Sequence, residues 1–323
     1  MNVLLTGYGS IGSIIAKHLV GLGLVNKLII ADRDEKAVHQ AKIDLDNFGN
    51  VVVVLADLTQ HTDLCRLFAK NPTTIIHTAA VKHVNFCEEN PMMAIHNNVI
   101  ATNKLIDFAQ SAEVDRFVYI NTDKSVMPTS VMGASKLIAE KQIISRRDDS
   151  NIKFNSIRLG NIINSNGSLL PTIANMVANN LPIKITNPEA TRYFLSPKEL
   201  YSFMALILNG IDDVVIIKKA MRSVKLGVMV SAMLEYLGAS SHECKIVGLK
   251  PGEKLHEHLY TESEAMYVVD RGEYLTIDGQ QNKVAAPLCS SESNCISCDE
   301  FVKMLKDVLS SNVIYYSKLH GNK

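Results

Sequence analysis

The chain lacks net charge: 33 Lys and Arg residues balance 33 Asp and Glu over 323 residues. No global field therefore draws it to nucleic acid or to an anionic membrane. It also lacks any run of about 18 or more apolar residues, so no membrane span is expected. The first residues, Met1-Asn-Val-Leu-Leu-Thr-Gly7, have neither the basic opening nor the small-residue cleavage site of a signal peptide. A cytoplasmic location is the expectation. Internal repeats and low-complexity segments are absent too. Of the six cysteines only Cys295 and Cys298 form a C-x-x-C, with Cys289 nearby. A structural zinc site wants a full tetrahedral ligand set, and no second C-x-x-C or spaced histidine pair supplies it. Because Ser297-Cys298-Asp299-Glu300 opens a helical pattern, a helix boundary is the better reading and no metal is expected.

What the chain does have is alternation. Strand-like runs at Asn2–Leu5, Lys27–Ala31, Val51–Leu55, Thr74–His77, Arg116–Ile120 and Lys153–Ile157 are separated by helical patterns at 11–22, 35–48, 60–68, 92–111 and 132–145. That order predicts βαβ units and an α/β fold with a doubly wound, Rossmann-type parallel sheet. The dinucleotide-binding domain is expected over 1–160. Beyond it the texture changes to loops (161–168, 186–197), with helices at 170–180, 228–237 and 298–309 and strands at 214–218 and 245–247. Residues 161–323 are expected to form mainly a smaller substrate-binding lobe, with some segments returning to the first domain. Residues 310–323 carry no clear structural signal.

Gly7-Tyr-Gly9-Ser10-Ile11-Gly12 is G-x-G-x-x-G, placed between the first strand and the first helix. Glycines there allow a tight turn, and a helix N-terminus offers unpaired N–H groups to a pyrophosphate. The second strand ends in Asp32, twenty residues past Gly12, where a carboxylate accepts from ribose hydroxyls and repels a 2′-phosphate. That favours NAD; Arg33, next in sequence, keeps NADP open. Asp57-Leu58 after the third strand suits an adenine-edge contact, and Ala79-Ala80 after the fourth suits close cofactor approach.

The segment Thr122-Asp123-Lys124 follows the fifth strand directly. A β-elimination beside a ketone-acidified carbon needs a base for the C–H and an acid for the departing hydroxyl. Asp123 and Lys124, at the carboxyl end of a parallel strand, are placed for those roles. A basic lysine needs its pKa lowered by burial or by neighbouring cations, to which Lys82 and Lys136 could contribute. Met132 and Lys136 share a helix face one turn apart.

These residues carry a resemblance. His77-Thr-Ala-Ala-Val-Lys-His-Val84, Glu88-Glu-Asn-Pro91 and Asn97-Asn-Val99 resemble a fourth-strand signature; Thr122-Asp-Lys124 with Met132-Gly-Ala-Ser-Lys136 resembles an active-site block. Arg158-Leu-Gly-Asn161, Asn166-Gly-Ser168, Thr186-Asn-Pro188 with Thr191-Arg-Tyr-Phe194, and Gly248-Leu-Lys-Pro-Gly-Glu-Lys-Leu255 resemble substrate segments. The chain resembles, nearly end to end, extended short-chain dehydrogenase/reductases of the polysaccharide-biosynthesis (CapD-like) type, specifically UDP-N-acetylglucosamine 4,6-dehydratases. Met132 stands where many nucleotide-sugar oxidoreductases carry a tyrosine that deprotonates a sugar hydroxyl, and it resembles the branch with methionine there. Three departures stand out: a glycine loop one residue shorter, Asp32 where several members have serine, and Lys250 for the usual arginine.

The resemblance implies hydride removal from C4 of a UDP-sugar to NAD(P)+, C5/C6 elimination of water, and hydride return to C6. Lys124 would take the C5 proton and Asp123 would protonate the leaving hydroxyl. Thr122 is the candidate substitute for the missing tyrosine. Lys136 would hold the nicotinamide ribose, and Asn98 would stabilise the active-site helix. Lys82 would face cofactor and substrate, and Asn161, Ser168, Arg192, Lys250 and Glu253 would contact the UDP-sugar. Relatives suggest a homo-oligomer, a dimer or larger. A UDP-sugar 5,6-dehydratase, a 4-epimerase, a catalytically silent cofactor-binding regulator, and inversion at C5 all stay open.

Overall fold

The computed structural model describes residues 1–148, 151–163, 169–219, 221–277, 289–291 and 295–320, with side chains omitted for residues 170 and 310–320. Strands are β1 (Asn2–Thr6), β2 (Lys27–Asp32), β3 (Val51–Leu55), β4 (Thr74–His77), β5 (Arg116–Thr122), β6 (Lys153–Leu159), β7 (Asn161–Ile162), β8 (Ile183–Ile185), β9 (Thr191–Leu195), β10 (Val215–Lys218), β11 (Arg222–Lys225), β12 (Cys244–Ile246), β13 (Val268–Asp270) and β14 (Tyr274–Ile277). The helices are α1 (Ser10–Gly21), α2 (Glu35–Asp44), α3 (His61–Phe68), α4 (Val84–Glu89), α5 (Pro91–Ala94), α6 (Ala101–Ser111), α7 (Val131–Ser145), α8 (Leu169–Ala178), α9 (Pro197–Leu208), α10 (Leu226–Tyr236), α11 (Glu262–Ala265) and α12 (Cys298–His320).

Two compact units emerge, each over its described residues. The first comprises Met1–Leu159, Phe203–Lys219 and Leu259–Pro287; the second comprises Gly160–Ser202, Ala220–His258 and Leu288–Lys323. In the first unit one sheet runs β13-β14-β10-β6-β5-β4-β1-β2-β3. Every pair from β3 to β10 is parallel, and β14 and β13 add antiparallel edges. The strands β1, β2, β4 and β5 are almost wholly buried because helices cover both faces, as a parallel sheet requires. Leu4, Ile29, Ile75, Phe117 and Tyr119 pack in one cluster with Leu105 and Ile106 of α6 and Ala139 and Ile143 of α7. The strand order reverses between β1 and β4, so the carboxyl ends of these strands open a crevice suited to a ligand.

The structure departs from the sequence expectation in several places. The helix expected over 92–111 is broken by a π-helical turn, Ile95–Ile100, that turns Asn98 into the interior. The stretch 186–197, expected as loop, contains β9, whose five residues are all buried. Thr191 and Arg192 hide this strand from a hydropathy pattern because both are polar yet buried. The second half also supplies a seventh parallel strand, β10, to the large sheet. The final helix continues past 309 to His320. In the second unit, three-stranded β11-β9-β7 and two-stranded β12-β8 sheets accompany a core of Ile173, Met229, Met233, Phe301 and Leu305.

No helix among the described residues is long and apolar enough to cross a membrane. Among the same residues no group of three or more His, Cys, Asp or Glu side chains could hold a metal ion, and Cys295 Sγ lies 3.1 Å from Ser223 Oγ.

The first unit buries an ionic network. Arg158 and Glu140 are wholly buried, and Nη2 of Arg158 meets Glu140 at 2.6 Å and Glu264 at 2.7 Å. Nη1 also donates to the Leu259 carbonyl at 3.0 Å. Replacing one member strands its partner in a low-dielectric interior, at a cost of about 3–5 kcal/mol. Arg158→Met is therefore expected to lose roughly that much stability in urea unfolding, with Arg158→Met/Glu140→Gln recovering part of the loss.

Candidate active site

The glycine-rich turn is shaped by contacts that exclude side chains. Gly7 has φ +88°, and a Cβ there would lie 2.7 Å from Ala79 N; one on Gly12 would lie 1.9 Å from Gly7 O. At Gly9 a Cβ would meet nothing within 4 Å, so the open side of the turn is the side a pyrophosphate would approach. Gly7 N–H donates to Ala31 O at 2.7 Å, and Tyr8 N–H donates to Asp32 Oδ2 at 2.6 Å. Asp32 thus braces the turn from the end of β2, accepting also from Asp34 N–H at 2.9 Å. Arg33 donates from Nη1 to Asn97 Oδ1. Lys82 reaches the N-terminal end of α1, with Nζ 3.1 Å from Ser10 Oγ, while Ile11 is half-buried. After β3, Asp57 Oδ1 accepts from Thr59 N–H and Oγ1–H at 2.8 Å, and Leu58 is buried. Ala79 and Ala80 are half-buried. These residues form a cradle whose glycines and Asp32 fit a dinucleotide.

Beyond β5 the backbone makes one 3₁₀ turn, Asp123–Ser125, capped by Thr122. Asp123 is fully buried, and its Oδ1 accepts from Thr122 Oγ1 and from Lys124 Nζ, both at 2.9 Å. Its Oδ2 has no hydrogen-bond partner among the described residues. A buried carboxylate oxygen left in that state is a costly feature with unused capacity to accept or, once protonated, to donate. Helix α7 crosses this turn closely, because a Cβ on Gly133 would stand 2.3 Å from Lys124 O.

On α7, Lys136 is buried, donates to Ile120 O at 2.7 Å and lies 4.0 Å from the centre of the Tyr119 ring. Burial pushes its ammonium down to about 7 against the opposing pull of Glu140. His77 bridges Thr6 Oγ1 at 2.6 Å and Thr102 Oγ1 at 2.9 Å, and burial, helped by the charge of Lys136, holds it down to about 3. Met132 is in a different environment: it clusters with buried Cys87 and Ala94 and with Val81, Val84 and Val131. Asn98 bonds both the N–H (2.8 Å) and the carbonyl (3.0 Å) of Val81 and donates to Ser135 Oγ at 2.9 Å. The segment after β4 is thereby sewn to the start of α7.

In the second unit Arg192 is sewn into the late loop. Nη1 donates to Thr191 O at 2.8 Å and Leu255 O at 3.1 Å; Nη2 donates to Lys254 O at 2.9 Å and Glu253 Oε1 at 3.1 Å. Glu253 also accepts from Thr186 Oγ1 at 2.9 Å, and Lys250 is exposed. Asn161 is half-buried in β7. Ser168 lies outside the described residues. Sequence reasoning missed Glu140, Asn121 and His77 as site-supporting groups; Glu140 had one signal, its place four residues after Lys136 on the same helix face.

A glycine-rich turn at the switch point of a doubly wound sheet, with Lys136 on the helix beside the end of β5, defines an extended short-chain dehydrogenase/reductase. More narrowly, the chain belongs to the polysaccharide biosynthesis protein family, whose model matches residues 3–278. It is 34% identical over 276 residues to the capsular polysaccharide biosynthesis protein CapD of Staphylococcus aureus, covering 81% of this chain and 45% of CapD. The chain thus spans less than half the length of that relative. The X-ray structure of Pen from Bacillus thuringiensis superposes with a TM-score of 0.87 at 26% identity, covering 95% of this chain and 97% of Pen. A double mutant of the dTDP-glucose 4,6-dehydratase DesIV of Streptomyces venezuelae, solved with NAD and DAU bound, shares the fold with a TM-score of 0.71 at 19% identity over 79% of this chain and 87% of that chain.

Two outcomes are expected. Met132→Leu keeps turnover, while Met132→Ala lowers unfolding stability by about 2–4 kcal/mol through a cavity in its apolar cluster. The pKa of Lys136 is lower folded than unfolded, so the unfolded state binds more protons from about pH 7 up to the ordinary lysine range, and stability rises with pH across that window. Lys136→Met removes this penalty. It is expected to raise the melting temperature more at pH 6 than at pH 10 while abolishing turnover.

Proposed function

We propose that this chain is an NAD-dependent nucleotide-sugar dehydratase that converts UDP-N-acetylglucosamine to a UDP-4-keto-6-deoxy sugar. The observation carrying this reading is the hydrogen-bonded Asp123–Lys124 pair, with a buried Asp123 Oδ2 that has no partner among the described residues. Such a pair has a use in expelling a C6 hydroxyl and none in simple epimerisation at C4. Asp32 supports NAD: a carboxylate at the end of β2, bonded to the glycine-rich turn, would repel a 2′-phosphate.

NAD, when bound, would supply hydride acceptance at C4 and hydride donation at C6. The chain's own residues move the protons. The proposed cycle requires Lys124 as a free amine beside the Asp123 carboxylate. Thr122, whose hydroxyl donates to Asp123 Oδ1 at 2.9 Å, passes the C4 hydroxyl proton to Asp123. Lys124 then takes the C5 proton, and Asp123 delivers its proton to the C6 oxygen as water departs. Lys124 returns its proton to C5 as hydride reaches C6, which restores the starting pair; the face of that return sets the configuration at C5. Within the second unit, Arg192 donates to Glu253 at 3.1 Å and so fixes the loop that carries exposed Lys250.

Incubation with UDP-N-acetylglucosamine and NAD in heavy water, read by NMR, is expected to show a 4-keto-6-deoxy product with deuterium at C5. A 5,6-alkene or a C4 epimer as the product would overturn the proposal. Lys124→Ala is expected to keep NAD affinity and lose about 10²–10⁴-fold in turnover.

A further inference from the structure

Glu140 takes no part in the proton transfers above, yet it is wholly buried and heavily bonded. Oε2 accepts from Asn121 Nδ2 at 2.7 Å, Ser156 Oγ at 2.9 Å and Arg158 Nε at 3.1 Å, while Oε1 accepts from Arg158 Nη2 at 2.6 Å. Buried ions of this kind stabilise a fold no better than apolar residues of similar volume. Their retention therefore asks for another reason, and position supplies one. Glu140 lies one helical turn past Lys136 on α7, so both project from one face of the helix. The strand beneath is gripped at successive residues, Ile120 O by Lys136 and Asn121 Nδ2 by Glu140, immediately before Thr122 and Asp123.

We propose that Glu140 is a positioning residue for the hydride-transfer site: its carboxylate is the counter-ion of Lys136 and, through Asn121, fixes the corner from which Thr122, Asp123 and Lys124 project. The proposal deepens the dehydratase reading and rests on it only for the identity of the cofactor. Lys136 must carry its proton to hold a ribose hydroxyl as a charged donor, and a buried ammonium keeps its charge only beside an anion. The other groups around it do not serve. From β5, Tyr119 offers a ring face, and from β4, His77 is held neutral. Asp123 is engaged by Lys124 and Thr122; on α4, Glu88 accepts from Val131 N–H at 2.7 Å. On α6, Asp107 pairs with Arg146 at 3.0 Å, and on β6, Arg158 is shared between Glu140 and Glu264.

The test is Glu140→Gln, which keeps the shape and an acceptor oxygen for Asn121 but removes the charge. In protein labelled with ¹³C-lysine, the ε-carbon signal absent from Lys136→Met identifies Lys136, and its titration is followed without cofactor. The Glu140→Gln midpoint is expected to fall by about one unit or more. NAD affinity, measured by calorimetry, is expected to weaken about fivefold or more at pH 7, because the protonated fraction of Lys136 falls from about one half to about one tenth, and to recover at lower pH. An unchanged Lys136 midpoint overturns the proposal, whatever happens to stability. Arg158→Lys, which keeps a cation beside the Glu140 carboxylate, is expected to leave the Lys136 midpoint near the wild-type value; a fall as large as that of Glu140→Gln overturns the proposal as well. Should Glu140→Gln fail to fold, Glu140→Asp is used, with a smaller fall expected and no change contradicting it. Failure of the unaltered protein to bind NAD would instead count against the cofactor assignment, since the lysine titration stands without it.

Discussion

The carboxylate of Glu140 has no access to solvent, and two strands and two helices depend on how it is satisfied. Asn121 ties it to β5, Ser156 and Arg158 tie it to β6, and Arg158 carries the link on to Glu264 of α11. Burial pushes the Glu264 carboxyl upward, but hydrogen bonds from Arg158 win and hold it below its ordinary range. That contribution is present above the usual glutamate range and is lost as pH falls through the lowered folded value. A network of this kind gives α7 a fixed register on the sheet. Sliding α7 by one residue would separate Glu140 from Asn121, Ser156 and Arg158.

Register matters because α7 carries Lys136 and crosses the turn that carries Asp123 and Lys124. The crossing is sterically tight: Gly133 leaves no room for a Cβ against Lys124 O, as Gly12 leaves none against Gly7 O. Two close backbone contacts thus accompany the dinucleotide cradle after β1 and the acid–lysine pair after β5, with β4 between these strands in one sheet. Dispersion and polar contacts then hold the intervening segment. Met132 packs its thioether among Val81, Val84, Cys87 and Ala94, while Asn98 closes on Val81 and Ser135.

Much of this was legible in the residues. Each expected strand of the first half is present, because fully buried parallel strands read as unbroken β-branched runs. The glycine turn was legible because its spacing is steric in origin. What could not be read were the elements whose side chains break the simple code. The strand β9 begins with Thr191 and Arg192, buried polar residues paired within the second unit, and no periodicity marks such a strand. The π turn at 95–100 leaves composition unchanged and alters only phase. Arg192 is expected from the resemblance to contact the UDP-sugar, and its Nη groups also bond the carbonyls of residues 191, 254 and 255 and Glu253. Only tertiary structure reveals whether a cation faces a ligand or its own backbone.

Under the proposed dehydration, a methionine where the resemblance expects a catalytic tyrosine becomes intelligible once the protons are counted. A tyrosine that deprotonates a sugar hydroxyl must pass that proton on, and in a simple oxidation it leaves for solvent. A dehydration needs the same proton again, on the C6 oxygen, before the cycle closes. Asp123 sits 2.9 Å from the Thr122 hydroxyl and 2.9 Å from Lys124 Nζ, so one carboxylate can receive the proton and spend it on the departing hydroxyl. A separate phenol would add a second store with no task. The position is then released to serve packing, and an apolar, flexible side chain fills the space against the 81–94 segment. On this view Met132 follows from the Asp123–Lys124 pair.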